Sequence, residues 1–214
     1  MAEYTGPEFS KSALLTIDTQ NDFALPGAVA EIAGTAEILP KMQELVEIYR
    51  SSGWPVIHVV RLYLPDGTNV DLCRRSAVEG GTQIVHPGTD GAELVDALKP
   101  SPKTRLDAVR LLDGTLQSVG TWEWIMYKPR WGAFYQTPLD GHLKRLGVTT
   151  LVVAGCNFPN CPRATVYEAS ERDYRVVLVS DAVSGLYDRG RAELESIGVR
   201  LHTVGEILQC VAHV

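Results

Sequence analysis

The chain has 214 residues, of which 45% are hydrophobic and 21% charged, enough to bury a full core as one domain of ordinary globular kind, and too apolar for disorder. A formal charge of −6 with no polybasic stretch argues against nucleic acid and anionic membrane as partners. The opening MAEYTGPEFSKS has neither a basic nor an apolar leader segment, and no window is apolar for long enough to span a bilayer. The expected location is therefore the cytoplasm. Cys73, Cys156, Cys161 and Cys210 are scattered rather than spaced as a disulfide frame, so they are expected as free thiols.

In chain order, SALLTID (12–18) reads as a first strand. Residues 35–53 place Ile38, Leu39, Met42, Leu45, Val46 and Tyr49 at helical spacing and close on Gly53, before PVIHVVR (55–61) as a second strand. The segment from about 62 to 120 is less regular. It carries a short helix in DGAELVDAL and a hairpin in LDAVRLLDGTLQSVG turning at Asp113 and Gly114. WEWIMYK (122–128) is a strand, TPLDGHLKRLG (137–147) a helix with Thr137 as N-cap and Pro138 at its first position, and VTTLVVAG (148–155) a buried strand. A helix from about 162, the strand YRVVLVSDA, the helix RAELESIG, the strand VRLHTV and a last short helix complete the chain. Strands alternating with helices predict a mainly parallel, doubly wound central sheet covered on both faces, a three-layer αβα sandwich of the α/β class.

In such sheets chemistry gathers beyond the carboxyl ends of the strands. Three strand ends carry reactive side chains: Asp18 in IDTQNDF, Lys128 after WEWIMY, and Cys156 and Cys161 in GCNFPNCPRATVYEA. Pro162 starts a helix without losing a needed N–H, which puts Cys161 at a helix N-terminus. That position, with Lys128 nearby, is expected to bring the thiol from ~8.5 to between roughly 3.5 and 7.5. Asp18 is placed to take the thiol proton and return it to a leaving amine. The five histidines show no ligand-like spacing, so no metal is expected. A C-x-x-C pair is absent, and Arg163 comes one residue too late after Cys156 for a C-x5-R loop. Asp22 is expected to hold its loop, and Asp181 to be structural. Phe23, Trp131, Phe134 and Tyr135 are the aromatic residues nearest in sequence to Asp18 and Lys128, each an even candidate for a substrate pocket or for core.

IDTQNDF, YKPRWGAF and GCNFPNCPRATVYEASERDYRVVLVSDA stand in that order on those elements, and with them the chain resembles the isochorismatase-like cysteine hydrolases. That superfamily includes nicotinamidases, carbamoylsarcosine amidases and ureidoacrylate and biuret hydrolases. The resemblance covers nearly the whole length and implies that residues 1–214 form one Rossmann-like hydrolase domain with an insertion at about 62–120. It implies an Asp18–Lys128–Cys161 catalytic triad, with Asp18 as acid and base, Lys128 as stabilising cation and Cys161 as nucleophile. It also implies a cis peptide between Cys156 and Asn157, and an oxyanion hole made by the N–H groups of Asn157 and Cys161. Relatives are commonly dimers or tetramers, so a homodimer or homotetramer is expected. The nicotinamidase branch carries an Asp-x-His metal site after the second strand. Here Arg61, Leu62 and Tyr63 stand in that place, which implies no metal and no cofactor and makes Arg61 and Tyr63, with Gln20, candidates for binding substrate. Isochorismatase proper, a vinyl-ether hydrolase, lacks the cysteine. The implied activity is an amidohydrolase cleaving an amide, ureide or carbamoyl C–N bond of a small molecule through a thioester. The alternatives are another bond type on the same scaffold (ester, cyclic amide or vinyl ether) or a non-catalytic binding protein.

Overall fold

A computed structural model describes residues 4–211. The first strand, β1 (Ser12–Ile17), is buried along its whole length, as a central parallel strand must be when both its faces are covered. A single turn, α1 (Asn21–Ala24), follows. The long helix α2 (Thr35–Ser52) ends at Gly53, whose φ of 67° only glycine adopts at no cost and whose turn lets Trp54 N–H reach the Tyr49 carbonyl at 3.0 Å. β2 (Val56–Val60), α3 (Leu72–Glu79), α4 (Ala108–Leu112), β3 (Gln117–Gly120) and β4 (Glu123–Tyr127) lead to α5 (Leu139–Arg145) and β5 (Thr150–Gly155). α6 (Cys161–Ser170), β6 (Arg175–Val183), α7 (Asp188–Ser196), β7 (Arg200–His202) and α8 (Val204–Val211) complete the order.

The strands form one seven-stranded sheet in the order β3-β4-β2-β1-β5-β6-β7, parallel throughout except for β3 against β4. Alternation along β1 sorts the layers. Ala13, Leu15 and Ile17 join Leu139 and Leu143 of α5, Val166 of α6 and Leu194 of α7 in one core. Leu14 faces the other way, toward Met42 and Leu45 of α2 and Ile207 of α8. Each such leucine is worth about 1.5–3 kcal/mol of burial, and the period of two gives both faces a share. The chain winds from β1 outward through β2 to β4, then returns to β5 and winds outward on the other side. The switch in strand order therefore lies between β1 and β5.

The segment 62–120 departs from its sequence reading in two places. The expected hairpin about Asp113 and Gly114 is instead the end of α4. Asp107 caps that helix by accepting Arg110 N–H at 3.1 Å, and Gly114, at φ 81°, donates to Leu111 O at 3.0 Å to close it. The antiparallel pair is β3 with β4, turning at Thr121 and Trp122. The expected helix in DGAELVDAL is two 3-10 turns, Asp90–Ala92 and Asp96–Leu98, separated by extended backbone. Its hydrogen bonds go elsewhere: Leu94 bridges Gln20, and Val95 N–H reaches Thr19 O at 3.1 Å. A smaller change is at α5, which starts after Pro138. Thr137 donates to Ala133 O at 2.6 Å and only weakly accepts from Leu139 N–H, at 3.4 Å.

Candidate active site

The β1 and β5 ends meet because Gly155 allows it. Its φ is 117°, and a Cβ placed there would stand 2.2 Å from the Ile17 carbonyl oxygen, so any side chain would push the two strands apart. Cys156 N–H then donates to Ile17 O at 2.9 Å, and the Cys156 thiol donates to Asp18 O at 2.9 Å. Burial pushes this thiol well above its ordinary value, which keeps it a neutral donor. Cys156 thus fastens the backbone of Asp18 to the turn that follows β5. The Cys156–Asn157 peptide is cis.

Asp18 itself is in the left-handed region at φ 53°, its N–H held by Val59 O at 2.9 Å. Aspartate tolerates that conformation better than most residues. Lys128 follows β4, with its N–H on Val60 O at 3.0 Å, so the two strands that flank β2 deliver the two groups. The Lys128 ammonium, fully buried, donates to Asp18 Oδ2 at 2.9 Å and more loosely to Arg130 O at 3.4 Å. The second carboxylate oxygen, Oδ1, is buried without a hydrogen-bond partner. An unpartnered buried acceptor costs free energy unless a ligand or a transferred proton uses it.

Cys161 is the first residue of α6, after Asn160 and before Pro162. Its carbonyl accepts from Thr165 Oγ1 at 2.8 Å, while Thr165 Oγ1 accepts Ala133 N–H at 3.1 Å, tying the helix start to the segment after Lys128. Neither Asn157 N–H nor Cys161 N–H finds an acceptor among the loop and cap hydrogen bonds of the described residues. The expected lowering of the thiol is reversed. Burial pushes Cys161 up to about 11, the charge of Asp18 adds to this, and Lys128 and Arg61 pull against it without prevailing. Burial beside Asp18 therefore favours the neutral thiol over the thiolate.

Asp18, Cys156, Asn157, Asn160 and Cys161 line a cavity of about 60 Å³ together with Phe23, Ile32, Trp131 and a polar group made of Arg61, Tyr63, Asp71 and Arg74. Cys73, a free thiol, and Trp131 also line a wider neighbouring cleft of about 710 Å³. Of the residues picked out as substrate contacts, Phe23, Arg61, Tyr63 and Trp131 reach the cavity. Gln20, Phe134 and Tyr135 do not line it. Gln20 spends its amide inside the fold, donating to Arg61 O at 2.7 Å and Ala92 O at 2.6 Å and accepting Arg61 N–H at 2.7 Å. Phe134 is buried against Tyr174 and under Arg172. Tyr135 is half exposed and lines the wider cleft.

Arg61 and Tyr63 line the cavity but are not free. Both donate to the Asp71 carboxylate, Tyr63 at 2.7 Å, and Arg61 also reaches the Lys128 carbonyl at 3.1 Å. Asp71 and Arg74 escaped the sequence reading, because they lie in the irregular segment where no periodicity marks a face. Two further side chains of IDTQNDF hold that segment down. Asn21 Nδ2 donates to Asp90 O at 2.7 Å, and Asp22 Oδ2 accepts Val85 N–H at 2.6 Å. Gly91 sits so close that a Cβ would meet the Asp22 carboxylate at 2.2 Å. Asp181 accepts Val204 N–H at 2.9 Å, holding the start of α8. Among the described residues no group of three or more His, Cys, Asp or Glu side chains could hold a metal ion, and no helix is long and apolar enough to cross a membrane.

The family model of the isochorismatase domain matches residues 12–197. The chain belongs to the isochorismatase family. It is 36% identical over 203 residues to a protein of Arabidopsis thaliana named as a probable inactive nicotinamidase, covering 91% of this chain and 93% of that one. It is 29% identical over 204 residues to the ureidoacrylate amidohydrolase RutB of Methylobacterium radiotolerans, covering 86% of this chain and 72% of the relative. Among solved structures, an isochorismatase family protein from Desulfovibrio vulgaris superposes with a TM-score of 0.80 at 32% identity, over 94% of this chain and 98% of the other. In this isochorismatase-family chain Asp18 and Cys161 line one cavity at the switch between β1 and β5.

Proposed function

We propose that this chain is a cysteine-dependent amidohydrolase that cleaves a C–N bond of a small amide, ureide or carbamoyl compound. The observation that carries the reading is the asymmetry of Asp18. One oxygen is tied to buried Lys128 at 2.9 Å, and the other is buried and unpartnered in the cavity that Cys161 lines. A carboxylate so placed is a proton acceptor with its charge already balanced on the far side.

Because the thiol is held near 11, its ionisation is coupled to attack. Asp18 Oδ1 takes the proton as Sγ bonds to the carbonyl carbon, and the negative charge moves to the carbonyl oxygen. The N–H groups of Asn157 and Cys161 receive that oxygen. Asp18 then gives the proton to the departing nitrogen as the C–N bond breaks, leaving a thioester on Cys161. Water, deprotonated by the same carboxylate, adds to the thioester, and the thiol leaves with the returned proton. Lys128, hydrogen-bonded to Oδ2, orients Asp18 and balances its negative charge each time the proton has been handed on. The RutB relative, named for an amide-type reaction, supports this choice of bond.

The name of the Arabidopsis relative favours a second reading, a binding protein that has kept the fold. One experiment separates them. Small amides, ureas and carbamoyl compounds are screened for ammonia release, with Cys161→Ala as the blank. Release by the native chain and none by the variant is expected. Equal release, or none from any compound, would sink the hydrolase reading.

A further inference from the structure

Three cations stand at or against the cavity, and two are already neutralised. Lys128 is paired with Asp18 at 2.9 Å, and Arg61 with Asp71, to which Tyr63 also donates. Arg74 is different. Among the described residues it has no carboxylate partner, and its guanidinium lies over the Phe23 ring with Cζ 4.9 Å from the centroid. Stacking fixes the plane of the guanidinium while leaving its in-plane N–H donors unused. With the Cys161 thiol neutral, three positive charges face two carboxylates, and the balance at the cavity is one positive charge.

The sequence supports Arg74 mechanically. Asp71 is the N-cap position of α3, yet its side chain makes no capping bond and turns to Arg61 and Tyr63 instead. Arg74 N–H then donates to Asp71 O at 2.9 Å, so the residue that fixes Arg61 also fixes the turn that carries Arg74. Phe23 belongs to the same IDTQNDF stretch as Asp18. The arginine is therefore referenced to the reacting groups through two routes, β2 and α1.

We propose that Arg74 is the specificity-determining residue of this site, and that the substrate is a small carboxylate whose scissile C–N bond lies within a few atoms of the charge. The proposal rests on the hydrolase reading for the words scissile bond, but its anion-binding content does not. The small cavity, shared by Arg74 and Cys161, limits how many atoms separate the two ends. A guanidinium meeting a carboxylate in a partly buried site forms paired, charge-assisted hydrogen bonds.

The test uses N-carbamoylglycine and its uncharged counterpart n-propylurea. Binding is measured by calorimetry on Cys161→Ala, alone and combined with Arg74→Ala or Arg74→Lys, and ammonia release is measured on the corresponding proteins that retain the cysteine. The carboxylate is expected to bind tighter than the urea. Arg74→Ala should weaken it by about 10- to 100-fold, the worth of one charge-assisted pair, with a much smaller change for the urea. Arg74→Lys should recover part of the loss, because it keeps the charge but not the fork. If Arg74→Ala weakens both probes alike or neither, or if the carboxylate does not bind at millimolar concentration, the proposal is overturned. Arg74-dependent binding with no ammonia release from these probes or from any compound of the wider screen would leave the anion site standing and defeat the hydrolase reading. Ammonia release indifferent to the carboxylate would do the opposite.

Discussion

Removing the charge of Asp18 should move the chemistry and the reactivity of Cys161 in opposite directions. Asp18→Asn keeps the shape and tolerates φ 53° as aspartate does, so the loop is preserved. In the proposed mechanism this removes the general base, and turnover should fall by about 10²- to 10⁴-fold. The thiol, however, is held up to about 11 first by burial and next by the Asp18 charge, against Lys128 and Arg61. Without the Asp18 charge the Lys128 ammonium is no longer balanced, and the thiol becomes more acidic. Each tenfold gain in thiolate at pH 7.5 is partly offset by its weaker nucleophilicity, leaving about a 3-fold faster alkylation per tenfold. Iodoacetamide labelling of Cys161, followed by mass spectrometry beside the release assay, reads both quantities on one preparation. A melting curve confirms folding, since Lys128 loses its buried partner, a change worth about 3–5 kcal/mol where the pair is fully buried. If Asp18→Asn slows labelling of Cys161 along with turnover, the account of a thiol held neutral by the carboxylate is wrong.

Glu123 gives a pH prediction far from the chemistry. Burial would raise its carboxyl, but hydrogen bonds from His58 at 2.7 Å and from Arg50 at 2.7 and 2.9 Å outweigh it and bring it down to about 2. The folded value lies below the unfolded 4.5, so the stabilisation is fully present above pH 4.5 and is lost as pH falls toward 2, on the order of 3 kcal/mol in all. Urea melts across that window should show the slope in the native chain, and Glu123→Gln should flatten it and be less stable at pH 7. Gly155→Ala should cost about 3 kcal/mol or more in the same melts, because its methyl group has no place beside Ile17 O. A Gly155→Ala protein of native stability would show that β1 and β5 can separate at their ends without cost.

What the sequence conveys is what local pattern controls. The central strands are legible because both sheet faces are covered, which leaves short unbroken apolar runs such as ALLTI, ended by Asp18, and LVVA, ended by Gly155. The position of Asp18 and Lys128 at the ends of the strands that flank β2, and of Cys161 in the segment after β5, follows from those runs and from the winding of parallel sheets. The segment 62–120 was not legible in the same way. Its backbone is held by Gln20, Asn21 and Asp22 from a distant part of the chain, so DGAELVDAL, helical by composition, is pulled into extended pairing. The helix in AVRLL was missed for a different reason. Asp113-Gly114 is as good a helix ending as a hairpin turn, and only the Asp107 cap six residues earlier distinguishes them.

The thiol shows how a motif can point one way and its surroundings the other. A helix N-terminus and a nearby lysine both favour a thiolate, and each is present. The lysine is spent on Asp18, however, and the cysteine is buried beside that carboxylate, so desolvation and like charge win. The same reckoning moves the recognition of an anion from Arg61 to Arg74. Arg61 occupies the conspicuous position after β2, but Asp71 has already taken its charge. In both cases residue identity names the groups that can act, and the partner each group already holds determines which of them is free to do so.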